Sequence, residues 1–132
     1  MGDDTDSRLR EHPRDRFAPA ERLLDLDDAY EELIDEPHEP VDGHRQITVA
    51  HRKGLTIVLF HFEEGGHIPD HQVDGEISLH VLEGDLAIET PDNSHRVRAG
   101  QMLILEPGVG HDVEANAETR MLLTISVGER DA

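Results

Sequence analysis

The chain has 132 residues, with 30 Asp and Glu against 12 Lys and Arg, a formal net charge of -18, and no cysteine. This length fits one compact domain with a tail, and the lack of cysteine excludes disulfides, thiolate metal sites and cysteine nucleophiles. Because the excess negative charge disfavours nucleic acid and anionic membranes, and because no apolar run is long enough to span a bilayer, we expect a cytoplasmic protein.

The basic residues are almost all arginine, since Lys53 is the only lysine. An acidic chain that is poor in lysine is what we expect of a halophilic protein, because concentrated salt screens the repulsion between its carboxylates. A GC-rich genome would produce the same preference for arginine, so both explanations stay open.

The first part of the chain divides into a tail and a helix. Residues 1–18 show no apolar periodicity, which predicts a charged, acidic tail that is disordered or loosely docked. Apolar residues at roughly helical spacing then predict a helix from Ala20 to Ile34, behind Pro19, and the prolines that follow end it. Residues 19–42 are thus predicted to form a helix and a proline-rich linker, with the helix on the outside of the domain or at a subunit contact.

Residues 43–132 are predicted to form a β-barrel domain. Short apolar segments alternate there with turn signals such as Lys53-Gly54 and Asp74-Gly75 every eight to twelve residues, a pattern typical of an all-β sandwich or barrel. Strands are predicted near residues 45–50, 55–62, 67–72, 76–82, 85–90, 94–98, 101–105, 110–116 and 119–127. Both faces of the strand between Leu55 and Phe62 are largely apolar, so we expect it to be covered on both sides.

Glycine and histidine spacing between Gly65 and His111 resembles the two sequence motifs of the cupin superfamily. The matching residues of the first motif are Gly65, His71 and Gly84, and those of the second are Gly100, Gly108 and His111. A segment typical of the family in length, residues 85–99, separates the two motifs. The resemblance implies a double-stranded β-helix, or jelly-roll barrel, that usually forms a homodimer.

The resemblance also implies where a metal would bind. Cupins that bind a divalent metal generally use two histidines and one glutamate of the first motif and one histidine of the second. By position, His71 matches the first ligand and His111 the last, whereas Val73 and Ile77 occupy the other two positions. An aliphatic side chain cannot ligate a metal, so a site for Fe, Mn, Ni or Zn would need a third ligand from elsewhere.

Three nearby residues are candidates for that third ligand. His67 lies four residues before His71, and His44 lies where the barrel region begins. Glu76 would point away from the site in a regular strand unless a bulge at Asp74-Gly75 re-aims it.

Three functions follow as hypotheses. The first is a small-molecule binding protein with a pocket around His71 and His111, with walls formed by Val73, Ile77, Met102 and Ile104. The second is a metal-dependent oxygenase or isomerase that uses the two histidines and a non-standard third ligand. The third is a non-catalytic dimeric scaffold, in which each histidine is neutral and satisfied by a backbone carbonyl inside the barrel.

Overall fold

The structure, a computed structural model, describes residues 20–128 of the chain. The tail predicted at residues 1–18 lies outside the described residues. The elements are α1 (Leu26–Ile34), β1 (His44–Arg52), β2 (Leu55–Phe62), β3 (His67–His71), β4 (Glu76–Glu83), β5 (Asp85–Glu89), β6 (Ser94–Arg98), β7 (Met102–Leu105), β8 (His111–Ala115) and β9 (Thr119–Ser126). Each of these strands lies where the sequence predicts one.

The strands form two antiparallel sheets that face each other. One sheet has the strand order β1-β2-β9-β4-β7 and the other has the order β3-β8-β5-β6. Their facing sides meet in one aliphatic core with two stacked phenylalanines, Phe60 and Phe62. The chain therefore has the all-β jelly-roll fold that the sequence predicts.

Strand β2 is covered on both faces, as its sequence predicts. Val58, Phe60 and Phe62 point into the core between the sheets. On the other face, Leu59 is fully buried under α1, which packs against β1 and β2 and buries its own Leu33 completely. Burial of apolar surface on both sides fixes β2 as a central strand of the fold.

Helix α1 is shorter than predicted, because it begins at Leu26 and not at Ala20. Asp25 has an extended backbone, and its carboxylate accepts a hydrogen bond from the backbone N–H of Asp28 at 3.0 Å. This N-cap starts the helix, and the carboxylates of Asp27 and Asp28 in the first turn favour the same start. Leu23 is 99% exposed, so this residue, which the apolar spacing placed inside the helix, makes no packing contact that would extend it. Within residues 20–128, no helix is long and apolar enough to cross a membrane.

Candidate functional site

His71 and His111 lie directly opposite each other, at the end of the ladder between β3 and β8. Their ring centroids are 5.2 Å apart, and the rings meet edge to face at an angle of 79°. The structure therefore brings together the two histidines that the sequence places at the first and last ligand positions.

A β-bulge in β3 turns His71 towards the interior. Ile68 pairs with Val113 and His71 pairs with His111, so two residues of β3 lie opposite the single residue that separates the partners on β8. In a regular strand, residues three apart point to opposite faces, and His71 would face away from Ile68. The extra residue restores the inward direction, because a bulge shifts the alternation by one.

Two aspartates shape this bulge. Asp70 has a positive φ of 48°, a conformation that Asp and Asn adopt more readily than most residues. Its backbone N–H donates to the carboxylate of Asp112 on the neighbouring strand, which gives the bulged N–H a partner. Asp112 therefore positions His71, although the sequence analysis did not single it out.

His111 is buried, with 3% of its surface exposed. Its Nδ1 lies 3.1 Å from the backbone carbonyl of Val109. A carbonyl oxygen can only accept a hydrogen bond, so Nδ1 carries a proton, and Nε2 carries a lone pair whenever the ring is neutral. Among residues 20–128, nothing forms a hydrogen bond with this Nε2.

The environment of His71 favours its neutral form. Burial lowers the pKa of His71 below its usual 6.5, and repulsion from the neighbouring His111 and His44 lowers it further. A neutral imidazole offers a lone pair to a metal ion or to a hydrogen-bond donor of a ligand.

His44 lies at the same end of the barrel. Its ring packs on Phe60 and Phe62, with centroid distances of 5.9 and 5.7 Å, and burial lowers its pKa. A close backbone contact between Gly43 and Gly66 holds it there, since a Cβ on Gly66 would lie only 2.2 Å from the carbonyl oxygen of Gly43. Of the three proposed third ligands, His44 is the one that packs on core residues.

The other two proposed third ligands are exposed. His67 pairs with Glu114, and its side chain points to the outer side of β3. The bulge lies between His67 and His71, so these two side chains point to opposite faces although they are four residues apart. Glu76 opens β4 on the face opposite that of the buried Ile77, and no bulge re-aims it. Across the part of the chain that the structure describes, no group of three or more His, Asp or Glu side chains could hold a metal ion.

The four aliphatic residues predicted to line the pocket divide into two sets. Ile77 is in the core at 3% exposure, and Val73 packs against that core. Met102 and Ile104 are 51% and 60% exposed, and they lie opposite His80 and Ser78 on the outer face of their sheet. All four residues of β7 are apolar, so the sequence pattern did not reveal that Leu103 and Leu105 are the ones facing the core.

A cavity of about 780 Å³ lies against His111, where the edge strands β6 and β7 of the two sheets face each other. Leu103, Ile104 and Leu105 form its apolar wall, and the hairpin between β5 and β6 forms part of its rim. His95 also lines it, on the same face of β6 as the buried Val97. His95 was not among the predicted site residues, although its two-residue spacing from Val97 in the predicted strand indicates that the two side chains share a face.

Comparison with known proteins supports the fold and the family. A family model described as "Cupin domain" matches residues 58–128. A crystal structure of a conserved protein of unknown function from Streptococcus pyogenes is 27% identical, with a TM-score of 0.66 over 83% of this chain and 90% of that one. A cupin superfamily protein from Desulfitobacterium hafniense is 20% identical, with a TM-score of 0.65 over 92% of this chain and 100% of that one.

An enzyme is also among the similar structures. Salicylate 1,2-dioxygenase from Pseudoaminobacter salicylatoxidans is 17% identical, with a TM-score of 0.64 over 76% of this chain and 31% of the enzyme. At this identity the likeness concerns the fold alone, and the comparison with curated proteins found no match.

The family model covers more than half of the chain, and the paired sheets and the opposed His71 and His111 agree with it, so this chain belongs to the cupin family.

Proposed function

We propose that this protein binds a small molecule in the cavity that His111 lines, with His71 acting from behind through its ring contact with His111 at 5.2 Å, because His71 does not line the cavity itself. The single observation that carries the proposal is the free Nε2 of a buried His111 at the wall of a cavity of about 780 Å³. This Nε2 is not sealed from solvent, unlike the buried and unpartnered Nδ1 of His44, so a ligand that donates a hydrogen bond to it would take the place of water there.

The shape and composition of the cavity support the same proposal. Its volume lies within the range of about 300 to 1,000 Å³ that small-molecule sites occupy. Leu103 and Leu105 supply apolar surface, and His95 and His111 supply polar groups at separate places on the wall. An apolar wall with a few polar contacts is the usual composition of such sites.

A divalent metal on the same two imidazoles is a second candidate. The hydrogen bond from Nδ1 of His111 to a backbone carbonyl is the arrangement by which proteins orient a metal-binding histidine. Two imidazoles fall short of the three protein ligands that a catalytic metal site commonly has. The described residues thus fit a metal less well than a small organic ligand, and we derive no reaction that depends on one.

The experiment compares four forms of the protein purified without chelator: wild type, His71→Ala, His111→Ala and His38→Ala. His38 is an exposed histidine outside the barrel and serves as the control. Native mass spectrometry measures bound organic molecules, elemental analysis measures metals, and chemical denaturation reports whether each variant is folded.

We expect an organic ligand that both barrel substitutions remove and that His38→Ala retains. A near-stoichiometric metal lost in the same two variants would replace this proposal with the metal-dependent alternative. If neither species is found in any form, and the two substitutions only lower stability, the chain is better described as a scaffold without pocket chemistry.

A further inference from the structure

The charged residues that line the cavity beside His111 all have the same sign. Asp70, Glu89, Asp92 and Asp112 line it, and no Lys or Arg of residues 20–128 does. The carboxylate of Glu89 accepts a hydrogen bond from Ser94 Oγ at 2.6 Å, and that of Asp112 accepts one from the backbone N–H of Asp70. Neither contact neutralises a charge, so the cavity entrance has a negative potential.

In a chain with a net charge of -18, an acidic rim alone does not indicate a ligand site. The buried side chain of His111 at the cavity wall is a second feature that points to a ligand. Only 3% of the surface of His111 is exposed. Its Nδ1 donates a hydrogen bond to the backbone carbonyl of Val109, and its Nε2 has no hydrogen-bond partner among the described residues. When the ring is neutral, this atom can only accept a hydrogen bond, so a ligand that contacts it must offer a donor to replace water there.

His95 extends the same chemistry along the wall. It pairs with the fully buried Ile88 and lines the cavity, and its side chain forms no hydrogen bond or ion pair within residues 20–128. β5 separates β6 from β8, and His95 is in register with Val113, so His95 and His111 lie two strand spacings across the sheet and two residues along it, or about 12 Å apart. A ligand with a donor group and a small apolar body would contact one imidazole and the wall of β7.

We propose that the ligand of this cavity is a small organic cation, a protonated amine with an apolar body, and not a carboxylate or a phosphate. The ammonium group supplies the hydrogen-bond donor that His111 lacks and the positive charge that the rim attracts. An anion would meet four carboxylates and no cationic side chain there. This inference rests on the proposed small-molecule function and narrows its ligand class.

The test uses three probes of nearly equal size: benzylammonium, benzyl alcohol and benzoate. Binding is measured on the full chain by NMR titration at low ionic strength and about pH 8, where an ordinary imidazole is neutral. EDTA is present, so that a trace metal does not occupy the imidazoles. We expect benzylammonium to bind about tenfold more tightly than benzyl alcohol, and benzoate to bind more weakly still.

Charge-matched variants separate the rim from the overall charge of the protein. Asp70→Asn with Asp92→Asn removes two rim charges, and Asn tolerates the positive φ at position 70. The control, Glu64→Gln with Asp74→Asn, removes two charges from exposed positions outside the cavity lining. The rim variant should weaken benzylammonium binding by about threefold or more, whereas the control should leave it nearly unchanged.

Each remaining outcome overturns the inference in a distinguishable way. Equal affinity for benzyl alcohol and benzylammonium, or tighter binding of benzoate, would remove the cationic class and leave the small-molecule function in place. Equal weakening by both double variants would assign the preference to the net charge of the chain. No binding of any of the three probes would overturn the cationic ligand and count against the small-molecule function as well.

Discussion

His71 combines partial burial with two histidine neighbours, His111 and His44, and both conditions oppose its protonation. The unfolded chain removes them, so the unfolded state binds this proton more readily than the folded state does. A group of this kind makes the free energy of unfolding depend on pH.

We therefore expect stability to fall as the pH drops from about 6.5 through the lower pKa of folded His71, and to change little from this group at higher pH. His71→Gln should make the pH dependence of unfolding shallower below about pH 6.5, since it removes the group whose folded pKa is lowered. A residual slope should remain, because burial also lowers the pKa of His44. Urea denaturation at a series of pH values measures both slopes, with exposed His38→Gln as control. Identical slopes in wild type and His71→Gln would contradict the explanation.

The resemblance to the two cupin motifs implied that His71 and His111 meet, but it did not predict every side-chain direction around them. The convergence follows from motif positions that the fold brings to adjacent strands. Of the four aliphatic residues predicted to line the pocket, Ile104 lines the cavity, whereas Met102, Val73 and Ile77 do not, and Met102 is exposed on the outer face. The four consecutive apolar residues of β7 show no alternation. The direction of each side chain therefore depends on the register of β7 against β4, and that register cannot be read from the sequence of β7.

At the scale of elements, α1 acts as a cover for one end of the larger sheet. Leu33 is fully buried against the outer face of β1 and β2, whereas the adjacent Ile34 is 42% exposed. On the same side, the ring of Tyr30 contacts His61 and lies 3.8 Å below the guanidinium of Arg120. His61 in turn lies 2.9 Å from the carboxylate of Glu118.

Leu33→Ala should lower the free energy of unfolding by about 3 kcal/mol, because it removes a fully buried side chain and leaves a cavity under the helix. Ile34→Ala is the matched control on the same turn and should cost less than about 1 kcal/mol. Chemical denaturation followed by circular dichroism measures both. Equal losses in the two variants would mean that α1 contributes through its helical conformation and not through the packing of Leu33.

Element positions were predictable from the sequence to different degrees. The nine strands follow from alternating apolar residues and from glycine-containing turns that end each segment. The start of α1 was misplaced, because the apolar spacing from Leu23 continued through Asp25, whose capping hydrogen bond decided the boundary. The bulge at Asp70 was not predicted, since it depends on the pairing of β3 with β8 and on the carboxylate of Asp112.

For the whole molecule, the net charge of -18 is the dominant electrostatic property. Repulsion between carboxylates weakens the compact state in dilute buffer, and salt at molar concentration reduces the screening length to about 3 Å. We expect the thermal midpoint to rise by about 5 °C or more between dilute buffer and molar KCl, as measured by calorimetry. An unchanged midpoint would contradict the halophilic explanation and would favour a GC-rich genome as the cause of the arginine-rich composition.

The homodimer also stays a prediction for the whole molecule. Met102 and Ile104 expose apolar surface on the outer face that β4, β9 and β7 share, away from the part covered by α1. If this face joins two copies, Ile104→Asp should shift the mass measured by light scattering from dimer to monomer. Leu23→Asp adds the same charge at a 99% exposed leucine and should leave the mass unchanged. A monomeric wild type would contradict the prediction.

The bulge in β3 has a consequence for changes in chain length. The ladder pairs Ile68 with Val113 and His71 with His111, and it leaves one intervening residue without a counterpart. A chain that lacked this residue would form an uninterrupted ladder with the same two imidazoles still opposed. We therefore expect a one-residue deletion at this point to keep the two imidazoles opposed, because it removes the unpaired residue and leaves the inward direction of His71 unchanged.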